Sequence, residues 1–340
     1  MARTRRALTP AVSEVTGMVQ LPSLPLPGLA RESVRNKVVL VTGASRGIGA
    51  AIAAELAERG AHVALVARDG AALRKVVAGL RGDGHAWFTG DVRSQASLDA
   101  AVAAVAARYG RLDAVVANAG VVSYGTVLIC DTPDFERVVD TNLTGVYRTV
   151  RAALPHLRES CGYVLVMGSI SSFSSLGGLG SYAASKAGVE MLAHILQQEL
   201  DHLGVGVGTL YASWVDTELI GEAERIMPSF ARVRRRWARP AELPGLRAWP
   251  GGTASPEECA RAAVTAIERR QRRVWVPVPL WGLSFARVVV NSRPGERVQS
   301  WLFGDAARAA DDEVLAYRAA TGATSRPARP RAPRAAGSRG

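Results

Sequence analysis

Short apolar runs alternate with longer helical stretches along most of this chain, and that rhythm leaves few folds open to it. KVVLVTG (Lys37 to Gly43) is too short for a helix and apolar on both faces, as a strand buried on both sides must be. Ile48, Ile52 and Leu56 follow at helical spacing, and Gly60 stops the helix. HVALVAR, HAWFTGD, LDAVVANAG, YVLVMGS, VGVGTLYAS and RVWVPVP repeat the strand signal, with helical segments between them, the longest at Asp134 to Arg158 and Tyr182 to Leu203. Parallel strands joined by helices require right-handed crossovers. The predicted fold class is therefore α/β, a doubly wound parallel sheet of about seven strands with helices on both faces. In such sheets ligands bind beyond the carboxyl ends of the strands, so chemistry is expected where strands run into loops.

The first of these loops is TGASRGIG, with glycines at 43, 47 and 49. Glycines permit a tight turn and close approach of phosphate oxygens, while the N-terminus of the following helix offers free N–H groups and partial positive charge. An NAD site would carry a carboxylate about 20 residues later, on the ribose 2′-hydroxyl. Arg68 stands there instead, at the end of the second strand, and Arg46 lies in the glycine loop. Guanidinium groups pair with a 2′-phosphate that a carboxylate would repel, so the expected cofactor is NADP(H), against the pull of the adjacent Asp69.

SYAASKAG (Ser181 to Gly188) places Tyr182 and Lys186 one helical turn apart on one face. A free phenol titrates near pH 10, about three units above neutrality, and a nearby ammonium favours its ionised form. With TGASRGIG, ANAG (Ala117 to Gly120), NLTG (Asn142 to Gly145) and Ser169 thirteen residues before the tyrosine, the ordered set resembles the short-chain dehydrogenase/reductase family over residues 36 to 280. The resemblance implies a Rossmann-type domain with Asn142, Ser169, Tyr182 and Lys186 as catalytic residues. Tyr182 exchanges a proton with the substrate oxygen, Ser169 holds that oxygen, Lys186 bonds the nicotinamide ribose, and Asn142 holds a water leading to the lysine. Ser171 and Ser172 compete with Ser169 on proximity alone. The resemblance also implies cofactor contacts from Gly43, Ser45, Arg46, Gly47, Ile48, Gly49, Arg68, Asp91, Val92, Asn118, Ala119, Gly120, Tyr182, Lys186, Val215 and Thr217. Where relatives carry Pro-Gly before the nicotinamide contacts, this chain has Ala212-Ser213, which changes the backbone conformations open to that turn.

Outside the domain at 37–280, residues 1–36 read as an extended Pro-rich, basic arm, 281–322 as a C-terminal extension and 323–340 as a disordered basic tail. The formal charge of +12 concentrates in these ends and in Arg232, Arg234, Arg235, Arg236 and Arg239, within a variable segment at 221–252. No nucleic-acid reader motif accompanies it, so solvated surface is expected, with phosphate or lipid contact the alternative. The segment itself reads either as a solvated loop or as a substrate lid in which Trp237 and Trp249 cover an apolar substrate. A lipophilic substrate follows from the second reading, with peripheral membrane contact near VWVPVPLWGLSFA, which is too short and Pro-rich to span a bilayer. Cys130, Cys161 and Cys259 have no metal-ligand spacing, so no metal and no disulfide framework are expected, and a reducing cytoplasm fits. No secretory signal is expected, because no long apolar run precedes the N-terminal prolines. The resemblance implies a homo-oligomer, a dimer or tetramer. A non-catalytic NADP-binding regulator on the same fold is the competing function.

Overall fold

A computed structural model describes residues 32–173, 177–238, 253–277, 288–289 and 292–322. The basic arm through residue 31, the tail beyond 322, Arg239, Trp249 and most of VWVPVPLWGLSFA lie outside the described residues.

The predicted alternation is present. β1 (Val38–Thr42), α1 (Gly47–Glu58), β2 (His62–Ala67), α2 (Gly70–Ala78), β3 (Ala86–Thr89), α3 (Gln95–Tyr109) and β4 (Ala114–Ala117) form the first half. α4 (Thr132–Val139), a π turn (Asp140–Thr144), α5 (Gly145–Glu159), β5 (Tyr163–Ser169), α6 (Gly180–Asp201) and β6 (Gly206–Ala212) follow. Next come β7 (Trp214–Val215), α7 (Glu218–Ile226), α8 (Pro228–Ala238), β8 (Thr253–Ala254), α9 (Pro256–Arg269), β9 (Arg273–Val276) and α10 (Arg293–Thr321). The main sheet is seven-stranded and parallel, in the order β3-β2-β1-β4-β5-β6-β9. Its direction of growth reverses between β1 and β4, which opens a crevice at their carboxyl ends.

Alternate strand residues supply two cores. Val39 and Val41 of β1 and Leu165 and Met167 of β5 pack under α1 and α9, through Ile52, Leu56, Ala263 and Val264. Val38, Leu40, Val164 and Val166 face the opposite side, against α3, α5 and α6 through Val105, Val150, Leu157, Val189 and Leu196. The period-two alternation of strand side chains thus fixes which helix covers which face. At the lower end of β1, the buried Asp113 carboxylate accepts from the Val38 amide at 2.8 Å and pairs with Lys37 and Arg111.

The segment after β7, left open by the sequence as loop or lid, is helical from Glu218 to Ala238 apart from Met227. The C-terminal extension contributes the 29-residue α10. Ala310 and Val314 of α10 form a separate small core with Tyr124, Leu179, Ile226, Met227 and Phe230. Two carboxylates fasten α10 in place. Asp311 accepts from the Thr126 amide (2.8 Å) and hydroxyl (2.6 Å), and Glu313 accepts from the Ser229 amide and hydroxyl.

Candidate active site

The glycine loop bends sharply at Gly43 (φ +65) and Gly47 (φ +56), a region where a side chain is strained. Space is as restrictive as conformation at Gly49, where a Cβ would lie 2.4 Å from the Gly43 carbonyl oxygen and 2.6 Å from Asn118 Nδ2. Asn118 braces this turn: its amide nitrogen donates to the carbonyls of Thr42 and Gly43 at 3.0 and 3.3 Å. The Thr42 hydroxyl accepts from the amides of Asn118 and Ala119, tying β4's exit, including the start of the Ala119–Gly120 turn, to β1's. Arg46 occupies the N-cap of α1 without a side-chain cap, so the first-turn N–H groups keep their capacity for an acceptor. Ser45 precedes it, and Ile48 packs against the core below. A dinucleotide pyrophosphate fits this uncapped terminus.

Around the loop stand the remaining predicted contacts. Arg68 is exposed at the end of β2, and its charge reaches Asp91 beyond β3. Asp91 bonds Arg93 at 2.7 Å, and that bond, above all, holds its carboxyl below the usual range. Asp69 has another task, since its carboxylate caps α2 by accepting from the Ala72 amide. Val92 lies against Gly145, where a Cβ would meet it at 2.9 Å. Thr217 stands at the N-terminus of α7 with its hydroxyl donating to the Val215 carbonyl, and a Gly47 Cβ would lie 3.7 Å from its methyl group. Arg46 does not lie free: it forms an ion pair with Glu218 in the first turn of α7, linking the glycine loop to the segment above it. Replacement of Pro-Gly leaves Ala212 in sheet register with Ser169 and Val276, the Ser213 amide donating to Val276, and Val215 pairing with Ala254 in a separate two-stranded sheet.

The predicted catalytic residues converge at the end of β5. The Ser169 hydroxyl is hydrogen-bonded to the Tyr182 phenol. Ser171 donates its amide to Ser169 Oγ, and Ser172 donates its hydroxyl to the Lys186 carbonyl, so the neighbouring serines support the backbone. The Lys186 ammonium lies 5.7 Å from the centre of the Tyr182 ring and donates to the Met167 carbonyl at 2.7 Å. Burial dominates the titration of both groups: it raises the Tyr182 phenol, against a smaller lowering by Ser169, and pushes Lys186 down to about 8. The one-turn spacing points to the ammonium as the group that tunes the phenol, whereas in this structure the largest effect on the phenol is desolvation.

Asn142 is wholly buried in the π turn between α4 and α5. Its side-chain amide donates to the Val121 carbonyl (2.9 Å) and Ser185 Oγ (3.0 Å), and its oxygen accepts from the Val121 amide (2.8 Å). It therefore clamps the loop after β4 onto α6, beside Tyr182. π turns that interrupt helices are frequent at functional sites.

Tyr124 and the residues of α10 also border the site and carry no motif in the sequence. The Tyr124 phenol donates to the Leu219 carbonyl, and its neighbour Ser123 bonds Ser181 at 2.7 Å, placing this loop over the start of α6. Ala310 and Val314 close the same side from above. Spacing of Ala306, Ala310 and Val314 at four-residue intervals, after the Ser292–Pro294 helix start and before Gly322, is the signal that would have revealed α10. Among the described residues, no group of acidic, histidine or cysteine side chains could hold a metal, and all three cysteines are free.

A crevice at the sheet's switch point, a glycine loop on a helix N-terminus and a Ser-Tyr-Lys set beside them define a nucleotide-dependent oxidoreductase site. The family model for short chain dehydrogenases matches residues 37–226, and the chain belongs to that family. An uncharacterized NAD-dependent oxidoreductase of Mycobacterium tuberculosis is 32% identical over 254 residues, 68% of this chain and 89% of the relative. A 3-oxoacyl-[acyl-carrier-protein] reductase of Mycobacterium bovis is 33% identical over 215 residues, 62% of this chain and 83% of the relative. Among solved structures, the 3-ketoacyl-(acyl-carrier-protein) reductase of Brucella melitensis, complexed with NADH, superposes with a TM-score of 0.63 at 26% identity, covering 72% of this chain and 98% of that one. No helix among the described residues is long and apolar enough to cross a membrane.

Proposed function

We propose that this protein is an NADP(H)-dependent oxidoreductase that interconverts a carbonyl and an alcohol on a lipophilic substrate, with Tyr182 as the general acid and base. The observation that carries the reading is the meeting of Ser169, Tyr182 and Lys186 at the carboxyl end of β5, on the same edge of the parallel sheet as the glycine loop. The dinucleotide supplies the hydride when bound. Tyr182 donates its proton to the substrate oxygen that the Ser169 hydroxyl holds, and the Lys186 cation stabilises the tyrosinate left behind. In the opposite direction the tyrosinate accepts the alcohol proton. Asn142 is a positioning residue; the water relay that the resemblance implies falls to its main chain, because its side-chain amide is already engaged.

Cofactor choice rests on this chain's own residues, since the relative from M. tuberculosis is named NAD-dependent and the B. melitensis reductase carries NADH. Arg68 supports NADP(H), and Asp69 does not oppose it while its carboxylate caps α2. Arg46 reaches a 2′-phosphate only by leaving Glu218. Arg68→Gln is expected to weaken NADPH binding roughly tenfold or more and leave NADH unchanged, as the loss of a charge-assisted contact implies. Equal NADPH affinity in variant and wild type would end the NADP assignment.

Two named relatives act on 3-oxoacyl chains carried by a protein, and the apolar surround of Tyr124, Leu179 and Phe230 suits an acyl or similarly lipophilic ketone. NADPH oxidation across acyl-chain ketones, steroids, retinoids and small aldehydes tests this: turnover confined to small polar aldehydes would contradict it. Homo-oligomerisation is part of the proposal, supported by Met191 and Ile195 of α6 and Tyr147 of α5, all exposed on helices that otherwise pack inward. Peripheral membrane contact, as a source of lipophilic substrate, belongs to the same reading.

A further inference from the structure

The first half of α10 stands away from the core and carries a concentrated apolar surface. Val288, Val289, Val298 and Trp301 are 81, 68, 54 and 72% exposed. The two valines are fixed at the head of the helix, because the Val289 carbonyl accepts from the Ser292 amide and hydroxyl and Ser292 caps α10. Val298 and Trp301, three residues apart, share one face. Arg293 and Arg297 precede Trp301 at four-residue intervals, and Arg236 of α8 lays its guanidinium 5.4 Å from the Trp301 ring centre.

The charge around this surface has one dominant sign. Arg235, Arg236, Arg293 and Arg297 are exposed, against Glu296 between Arg293 and Trp301 and Asp305 one turn beyond it, the latter paired with Arg308. Two further arginines of α8 are used internally, Arg232 with Glu313 and Arg234 with Glu224. We propose that the first half of α10, with the arginines of α8, docks on an anionic lipid bilayer, the valines and Trp301 entering the headgroup boundary and the arginines pairing with lipid phosphates and carboxylates.

The combination selects this partner. A nucleic acid would satisfy the arginines and leave the valines in water. A second copy of the chain in a two-fold contact would bring the same positive surface against itself. Asp311, Asp312 and Glu313 follow in the second half of α10, so the helix lies on a membrane and does not enter it further. That second half roofs the site through Ala310 and Val314. Docking thus places the proposed substrate side next to the bilayer; this consequence rests on the oxidoreductase reading, whereas the binding does not.

The test is sedimentation of the full chain with vesicles of phosphatidylcholine alone and of phosphatidylcholine with phosphatidylserine, alongside Trp301→Ser and the double variant Arg235→Gln/Arg236→Gln. Thermal melting and NADPH oxidation with a water-soluble ketone verify that the variants fold. Wild type is expected to partition to the anionic vesicles, the double variant about twenty-fivefold more weakly at about fivefold per arginine, and Trp301→Ser more weakly at every salt concentration. Three results would each overturn the proposal: equal binding to neutral and anionic vesicles, anionic binding unchanged in both variants, or self-association that Trp301→Ser abolishes in the absence of vesicles. Because binding is read separately from turnover, loss of the lipid contact with intact ketone reduction, or the reverse, tells which of the two readings has failed.

Discussion

Lys186 is a buried cation, and replacing it should stabilise the fold. Desolvation moves its ammonium from an ordinary 10.5 to about 8, which at neutral pH corresponds to about 3 kcal/mol of unfavourable folding free energy. Lys186→Met removes that penalty and loses the hydrogen bond to the Met167 carbonyl, worth about 1 kcal/mol, so a net gain of about 2 kcal/mol is expected at pH 7. The sign follows from proton binding. Between pH 8 and 10.5 the unfolded lysine holds a proton that the folded one has released, so wild-type stability rises with pH across that window. Tyr182 works in the other direction: its raised pKa contributes stability below pH 10 that is lost as the unfolded phenol ionises. Tyr124 and Tyr163, also raised by burial, add to the same alkaline loss. Subtracting variant from wild type isolates the lysine. Urea denaturation followed by circular dichroism at steps from pH 7 to 9.5 should show the variant's advantage shrinking as pH rises, while turnover is lost throughout. A variant less stable than wild type at pH 7, or a difference that does not change with pH, would refute the reasoning.

Gly49→Ala forces a methyl group against the Gly43 carbonyl and the Asn118 amide, so it should cost about 1–3 kcal/mol and weaken dinucleotide binding, measured by denaturation and by NADPH fluorescence titration. Unchanged values in both assays would contradict the close packing of the glycine loop. Asp311→Ala removes two bonds to Thr126 and loosens α10, with a loss of about 1–3 kcal/mol expected in melting and a higher KM for bulky ketones than for small ones. Its NADPH Kd should stay at the wild-type value, because Asp311 bonds Thr126 and no residue of the glycine loop.

Where a local pattern dictates a structure, the sequence was informative. The apolar runs gave the seven parallel strands because strands buried on both faces have no polar position to tolerate, and Gly43, Gly47 and Gly49 marked a turn that a side chain would block. Spacing from Tyr182 singles out Ser169 from Ser171 and Ser172, and Ser169 is the serine placed against the phenol. Long-range pairings were not readable. Arg46 and Glu218 are 172 residues apart, and nothing local in TGASRGIG announces that its arginine is held by α7. The π turn at Asn142, between α4 and α5, is announced by no periodicity in the sequence. α10 hid because its inward stripe is built from small residues, Ala306 and Ala310 with Val314, amid charged neighbours. The arginine-rich segment, which its sequence leaves open to loop or lid, is helix α8 through Ala238, two of whose guanidinium groups pair with Glu313 and Glu224.

The central claim is that one hydroxyl, on Tyr182, carries the proton. Single-turnover NADPH oxidation with the best ketone, compared between wild type and Tyr182→Phe, measures it directly. The account predicts that the variant binds NADPH with near wild-type affinity and loses carbonyl reduction by about a hundredfold or more, the usual worth of a positioned general acid. Reduction at the wild-type rate by the phenylalanine variant would contradict it.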